Sequence, residues 1–345
     1  MMSRRQHLGA SAGLLALAFA GGSSGRAAGA EPPVPVVDLH VDLAYQLAFK
    51  DRSVERGTGQ WLASELERAG VAGVVLPLYV PHEVSPTGPR LEDLERAYGR
   101  LFPALAATPP YALPGTIPGE RPVRTWLAFE GAAPFAARPE GLAPWVARGL
   151  RVVGLVHAHD NALASSSGIG GAFRAVDAGL TAAGRALMEH ALALGVTVDV
   201  SHASDAAVAD ALAVARAAGR PVIATHSNAR ALCRHPRNLT DEQIRAIAAT
   251  GGVVGANFHG PYLAVGRTAT LDDVVRHLRH LIDRGGIEHV ALGSDFEGGI
   301  QAPSGLEDVR GFARLAGALR AAGLARADVE RVFAGNALRV LGAAP

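Results

Sequence analysis

The chain has 345 residues, 49% of them apolar, and its 33 basic and 32 acidic side chains leave a net charge of +1. That balance excludes an electrostatic footprint for nucleic acid or an anionic membrane surface, and the apolar share is enough for a large buried core. Cys233 is the sole cysteine, so no internal disulfide is available.

In chain order, residues 1–30 read as a separate segment. Ser3-Arg4-Arg5 precedes the apolar run Leu14–Ala20, and Ala28-Gly29-Ala30 has the form of an A-x-A cleavage site. The paired arginines resemble a twin-arginine export signal; the alternative is an ordinary secretory signal with arginines in its first region. The apolar run is short of the roughly 20 residues that span a bilayer. The expected product is therefore exported, periplasmic or secreted, and without a membrane anchor. Residues 31–345 show no break in composition and are expected to form a single domain.

Eight apolar, β-rich runs follow: Val34–Leu39, Val71–Leu78, Thr125–Phe129, Arg151–Val156, Val196–Val200, Pro221–Thr225, Gly252–Asn257 and His289–Gly293. Helical stretches separate them, including Trp61–Ala69, Leu91–Ala107, Leu142–Arg148, Gly179–Leu194, Asp205–Ala218, Thr240–Ala249 and Leu271–Arg284. Continuously apolar strands suit a parallel sheet buried on both faces. Eight β-then-α units are the count of a (β/α)8 barrel of the TIM type, with a doubly wound open sheet as the competitor.

Chemistry collects where these runs end. The first ends on His40-Val41-Asp42, the third on Glu130, the fourth on His157, the fifth and sixth on His202 and His226, and the eighth on Gly293-Ser294-Asp295. In parallel barrels the carboxyl ends of the strands carry the active site. A His-x-Asp pair on a strand presents both side chains to one face, because strand side chains alternate. Imidazole with carboxylate suits a divalent ion such as Zn²⁺, Mn²⁺, Fe²⁺ or Co²⁺, with Zn²⁺ the commonest. His40, Asp42, Glu130, His202 and His226 are the candidate ligands, enough for two ions with Glu130 between them. Two such ions can share a hydroxide and polarise a scissile carbonyl. Asp295 is then free to orient that water, take its proton and pass it to a leaving amine.

Other devices fit poorly. A carbamylated lysine bridges two metals in many barrel amidohydrolases, but the one lysine, Lys50, follows the first strand. No G-x-S-x-G elbow follows a strand, so serine chemistry is unsupported. Gly168-Ile169-Gly170-Gly171 follows a serine run and reads as a loop rather than a phosphate cradle. His82, His159, His190, His235, His259, His277, His280 and His289 are assigned to the surface, caps or substrate loops, and Glu297 to the support of Asp295.

These motifs, with Asp38-Leu39-His40-Val41-Asp42-Leu43, Phe129-Glu130-Gly131, Val198-Asp199-Val200-Ser201-His202, Thr225-His226-Ser227-Asn228, Arg237-Asn238-Leu239-Thr240-Asp241 and the tail Gly335–Val340, make a chain that resembles the membrane dipeptidase (renal dipeptidase) family of zinc peptidases. The resemblance implies a (β/α)8 barrel with two zinc ions and a dipeptide as substrate, in some members with a D-residue at the C-terminal position. It implies that His40 and Asp42 bind one ion, that His202 and His226 bind the other, and that Glu130 lies between. It further implies Asp295 as the acid/base group, His157 as the residue that contacts substrate and stabilises the oxyanion, and Arg237 as the clamp on the dipeptide's carboxylate. Members are often dimers, so a homodimer is the assembly implied by analogy. The departures are Glu297, where the family usually has aspartate, the loop His159–Ser165, and Val74-Val75-Leu76 in strand two. They leave the ligands intact and bear on the side-chain pockets. The alternatives are a related metal-dependent amidase acting on N-acyl amino acids or another small amide, and a non-catalytic binding barrel.

Overall fold

A computed structural model describes residues 32–86, 88–116, 122–173 and 177–342. The expected export segment lies outside the described residues. Eight parallel strands, β1 (Val36–Asp38), β2 (Val71–Tyr79), β3 (Arg124–Glu130), β4 (Leu150–Gly154), β5 (Thr197–Asp199), β6 (Val222–Ile223), β7 (Val254–Ala256) and β8 (Val290–Leu292), follow the order β6-β5-β4-β3-β2-β1-β8-β7. A parallel bridge between Ala224 and Val254 joins the two edges, and the result is a nearly closed barrel. Each of the eight apolar runs overlaps one of these strands. Close approach at the seam depends on glycine: a Cβ on Gly255 or Gly293 would stand 2.0 or 1.8 Å from the Thr225 carbonyl oxygen.

The period of two sorts each strand into two cores. Val36, Val74, Leu76, Leu127, Phe129, Val198 and Val222 pack outward beneath the helices. Val37, Val75, Trp126, Val152, Ile223 and Ala291 form a second cluster with Ala334, Ala337 and Leu341 from the C-terminal segment. That segment, a π-helical turn (Arg331–Gly335) running into an α-helix (Asn336–Leu341), plugs the barrel at the amino ends of the strands. Asn336 Nδ2 donates there to the carbonyls of Ile287 and Val290, at 2.7 and 2.8 Å.

Several helices match their sequence signals, among them Leu91–Ala107 and Asp205–Ala218. Trp61–Ala69 departs from expectation, for only Ala63–Glu65 forms a 3₁₀ turn. The backbone N–H groups of Thr58 and Trp61 donate instead to the Glu297 carboxylate, at 2.5 and 2.9 Å, which holds the segment as a loop.

The helix Leu271–Gly285 starts from an ionic cap. Asp273, 1% exposed, accepts from the Thr270 N–H at 3.0 Å, pairs with both guanidinium nitrogens of Arg267 at 2.5 and 2.7 Å, and contacts Arg276 at 2.9 Å. Arg267 draws the carboxyl down to about 2 from its usual value near 4. A depressed folded-state value stabilises above the unfolded value and is lost as pH falls through the folded one. Asp273→Asn is therefore expected to cost about 1–2 kcal/mol at pH 7, discounted because the arginines are half exposed, and the deficit should shrink as pH falls from about 4 towards about 2. Urea unfolding at pH 7 and pH 3 checks this, and an equal deficit at both values would contradict it.

Candidate metal centre

The strand ends gather their acid and imidazole side chains at one mouth of the barrel. The loops after β1 and β8 are zipped together: Asp295 N–H donates to the His40 carbonyl at 3.0 Å and Asp42 N–H to the Phe296 carbonyl at 2.9 Å. Asp42 occupies the cap position of the helix Leu43–Phe49, where an aspartate normally accepts from the first turn. Its side chain makes no such bond, and Oδ1 is buried without a hydrogen-bond partner. The carboxylate is turned inward, 3.8 Å from His40 Nε2.

Glu130 Oε1 lies 3.3 Å from His40 Nε2, 3.2 Å from His202 Nε2 and 3.5 Å from His226 Nε2, and the two last nitrogens are 2.9 Å apart. Donor atoms of three overlapping sets, His40–Asp42–Glu130, Glu130–His202–His226 and His40–His226–Asp295, lie within 4.8 Å of one another. The fit to cations follows from lone pairs. One carboxylate oxygen facing three imidazole nitrogens cannot satisfy them all as hydrogen bonds, and His40 Nε2 has no well-aligned partner. Converging lone pairs with too few protons between them are the donor set of metal ions. Space is kept for them as well: a Cβ on Gly298 would stand 2.5 Å from Asp42 Oδ2 and 2.7 Å from Asp295 Oδ1.

Electrostatics sort the same groups. Burial pushes the Asp295 carboxyl up to about 6; His40 opposes the rise and the charge of Glu130 adds to it. Burial also raises Asp42 and lowers His157, His202 and His226. Burial works against the charged form of His40, but Glu130, Asp42 and Asp295 outweigh it and lift the imidazole to about 10. Glu130 lies well below the usual carboxylate range, since His157, His40 and His202 together overcome its burial. His202 and Asp295 hold φ of 66° and 65°, a left-handed backbone that persists where function or packing demands it.

His157 reaches the same mouth, its ring centroid 4.3 Å from that of His202 and 4.6 Å from that of Tyr79. Arg237 is 3% exposed, donates from Nη2 to the His226 carbonyl at 3.2 Å and sits 5.5 Å from the Tyr262 ring, while its Nε is buried with no hydrogen bond. A guanidinium with no ion pair to an acid among the described residues is free to take a carboxylate. Its loop is braced by Asn238, whose Nδ2 donates to the carbonyls of Cys233 and Tyr262, both at 2.8 Å.

All eight expected site residues thus meet at this mouth. Two assignments need correction. Glu297 braces the 57–61 loop rather than Asp295; the residue that holds Asp295 is Asn257, whose Nδ2 donates to Oδ2 at 3.0 Å. Asn257 ended the seventh apolar run, and its position was the one available signal. His277 is fully buried and structural, accepting from Ala229 N–H at 3.1 Å. No helix among the described residues is long and apolar enough to cross a membrane.

Comparison with known proteins adds the following. The family model described as "Membrane dipeptidase (Peptidase family M19)" matches residues 31–345. An uncharacterised protein from the region 5′ of pqqA in Klebsiella pneumoniae is 43% identical over 220 residues, 62% of this chain and 79% of that one. An uncharacterised dipeptidase of Schizosaccharomyces pombe is 40% identical over 187 residues, 53% of this chain and 44% of that one, so the match spans less than half of that relative. The crystal structure of a metallopeptidase from Rhodobacter sphaeroides, liganded with a phosphinate mimic of the dipeptide L-Ala-D-Ala, has a TM-score of 0.77 and 28% identity, covering 90% of this chain and 99% of that one.

Proposed function

The chain belongs to the membrane dipeptidase family, peptidase family M19, and from that premise we propose that it is an exported binuclear zinc dipeptidase that hydrolyses the peptide bond of dipeptides, including those with a C-terminal D-residue. The observation that carries the reading is the convergence of three imidazole Nε2 atoms on one oxygen of Glu130, at 3.2–3.5 Å. His40 and Asp42 would hold one ion, His202 and His226 the other, and Glu130 both. Bound there, the ions supply Lewis acidity and lower the proton affinity of water. Asp295, half-buried and held by Asn257, takes the proton of the attacking water and returns it to the amine as the C–N bond breaks. His157 stands beside the carbonyl and stabilises the oxyanion. Arg237 pairs with the terminal carboxylate and fixes the register of the substrate. The acceptance of a C-terminal D-residue draws support from the ligand of the Rhodobacter structure. Export draws support from Ser3-Arg4-Arg5 and the apolar run after it.

The test sets L-Ala-L-Ala and L-Ala-D-Ala beside N-acetyl-alanine, with the zinc-loaded protein. Cleavage of the dipeptides and not of the N-acyl amino acid is expected; the reverse preference would overturn the reading in favour of an amidase. On the same dipeptides Arg237→Leu should raise KM by about 10–100-fold, since a hydrogen bond to a charged group contributes about 1.5–3 kcal/mol. An unchanged KM would remove the clamp.

A further inference from the structure

Behind the ligands lies a hydroxyl that neither the motifs nor the family match assigns. Thr225 ends the β6 run, and its Oγ1 is reached by four side chains from three strand ends. It donates to Asp199 Oδ2 at 2.5 Å, with His226 Nδ1 at 2.8 Å, His40 Nδ1 at 3.2 Å and Ser201 Oγ at 3.3 Å. The backbone fixes this arrangement. Thr225 N–H and Ser201 N–H both donate to Asp199 Oδ1, at 2.9 and 2.8 Å, and Ser201 Oγ accepts from His226 N–H at 3.1 Å. Asp199, His226 and His40 are all at least 94% buried, so water does not offer these groups other partners.

Proton counting then constrains these bonds. A threonine hydroxyl has one proton and two lone pairs, and a carboxylate only accepts. The proton of Thr225 goes to Asp199, in a short charge-assisted bond. Both lone pairs are left to accept; the imidazole nitrogens, at 2.8 and 3.2 Å, stand nearer than Ser201 Oγ at 3.3 Å, and they fill both lone pairs when the Nδ1 atoms of His40 and His226 each carry a proton. A ring that keeps its proton on Nδ1 when it binds a cation has its lone pair on Nε2, and Nε2 is the atom that each ring turns towards Glu130.

We propose that Thr225, oriented by Asp199, is a positioning residue that sets the tautomer of two metal ligands at once. The inference rests on the two-ion reading above, in which His40 and His226 serve different ions. One hydroxyl therefore prepares both halves of the centre. The third imidazole supplies a contrast, because His202 Nδ1 is buried without a hydrogen-bond partner. Without the hydroxyl, His40 and His226 lose the acceptor for Nδ1–H, and the tautomer that blocks Nε2 becomes as accessible as the one that binds.

The test titrates zinc into the metal-free full-length protein against a chromophoric chelator, for the unaltered chain, Thr225→Val and Thr225→Ser. Valine keeps the shape and removes the hydroxyl, whereas serine keeps the hydroxyl. Thr225→Val is expected to weaken both ions by about 10–100-fold, the usual cost of losing an outer partner of a metal ligand, and Thr225→Ser to retain most of the affinity. Both ions binding to Thr225→Val within about threefold of the unaltered affinity would overturn the proposal, since it falls below that range. Should the valine variant fail to fold, long-range ¹H–¹⁵N spectra of the zinc-loaded unaltered and serine proteins decide. Slowly exchanging protons on Nδ1 of His40 and His226 support the assignment, and ligation through Nδ1 overturns it. An unaltered chain that took up no zinc would overturn the two-ion reading itself, and this inference with it.

Discussion

Replacing Asp295 by Asn is expected to lower kcat on a dipeptide by about a hundredfold to ten-thousandfold, the range a positioned proton carrier supplies, while two zinc ions remain bound. The variant isolates proton transfer unusually well. Asparagine is almost the size of aspartate, and its amide oxygen can still accept from Asn257 Nδ2, as Asp295 Oδ2 does at 3.0 Å. The backbone at this position has φ of 65°, a conformation that asparagine tolerates better than most residues. What the amide cannot do is take a proton from water and give it to an amine. Asp295 also lies within 4.8 Å of donor atoms on His40 and His226, so it has a rival role as a ligand. Metal analysis beside steady-state kinetics separates the two. Turnover at the unaltered rate, or loss of an ion with the variant, would remove Asp295 from the proton-carrying role.

Glu130→Gln is expected to have an effect of similar size through a different cause. Glutamine preserves the length of the side chain but removes the charge and turns one of the two carboxylate oxygens into an N–H₂ group, which cannot bind a cation. If Glu130 serves both ions, bound zinc should fall from about two per chain to one or fewer. Activity should fall by about a thousandfold or more, because several kcal/mol of Lewis acidity go with the ions and each 1.36 kcal/mol is tenfold in rate. Thermal unfolding gives a second readout. Added zinc should raise the midpoint of the unaltered protein and leave that of the variant nearly unmoved, as binding to the folded state alone requires. Full zinc occupancy in Glu130→Gln would show that the carboxylate is not shared.

Much of this arrangement was legible because its signals are local. The strands are buried on both faces, so each appears as a nearly unbroken apolar run, and the residue that ends the run falls at the mouth. His40-Val41-Asp42 is legible for the same reason, through the alternation of a strand. Elements decided by distant partners were not. Trp61–Ala69 has a helical pattern, but the carboxylate of Glu297, more than 200 residues away, captures the N–H groups that would start the helix. The helix Leu43–Phe49 escaped notice because the residue at its cap position, Asp42, is directed into the site instead of marking the helix. Thr225 and Asn257 carry no metal-binding chemistry of their own. Their roles arise from side chains that the closed barrel brings beside them, and no window along the chain contains both partners.

The barrel is finished differently at its two ends. Ala334, Ala337 and Leu341 close one with apolar packing against Val37, Trp126 and Ile223, and the other is an assembly of charged and polar groups on loops. Cohesion and chemistry are therefore separated along the axis of the molecule. Substitutions in the rim loops, such as His159–Ser165, can change which side chains a substrate is allowed to carry without reaching the layer that keeps the cylinder shut. A lineage built this way can alter its diet while its foundation stays the same.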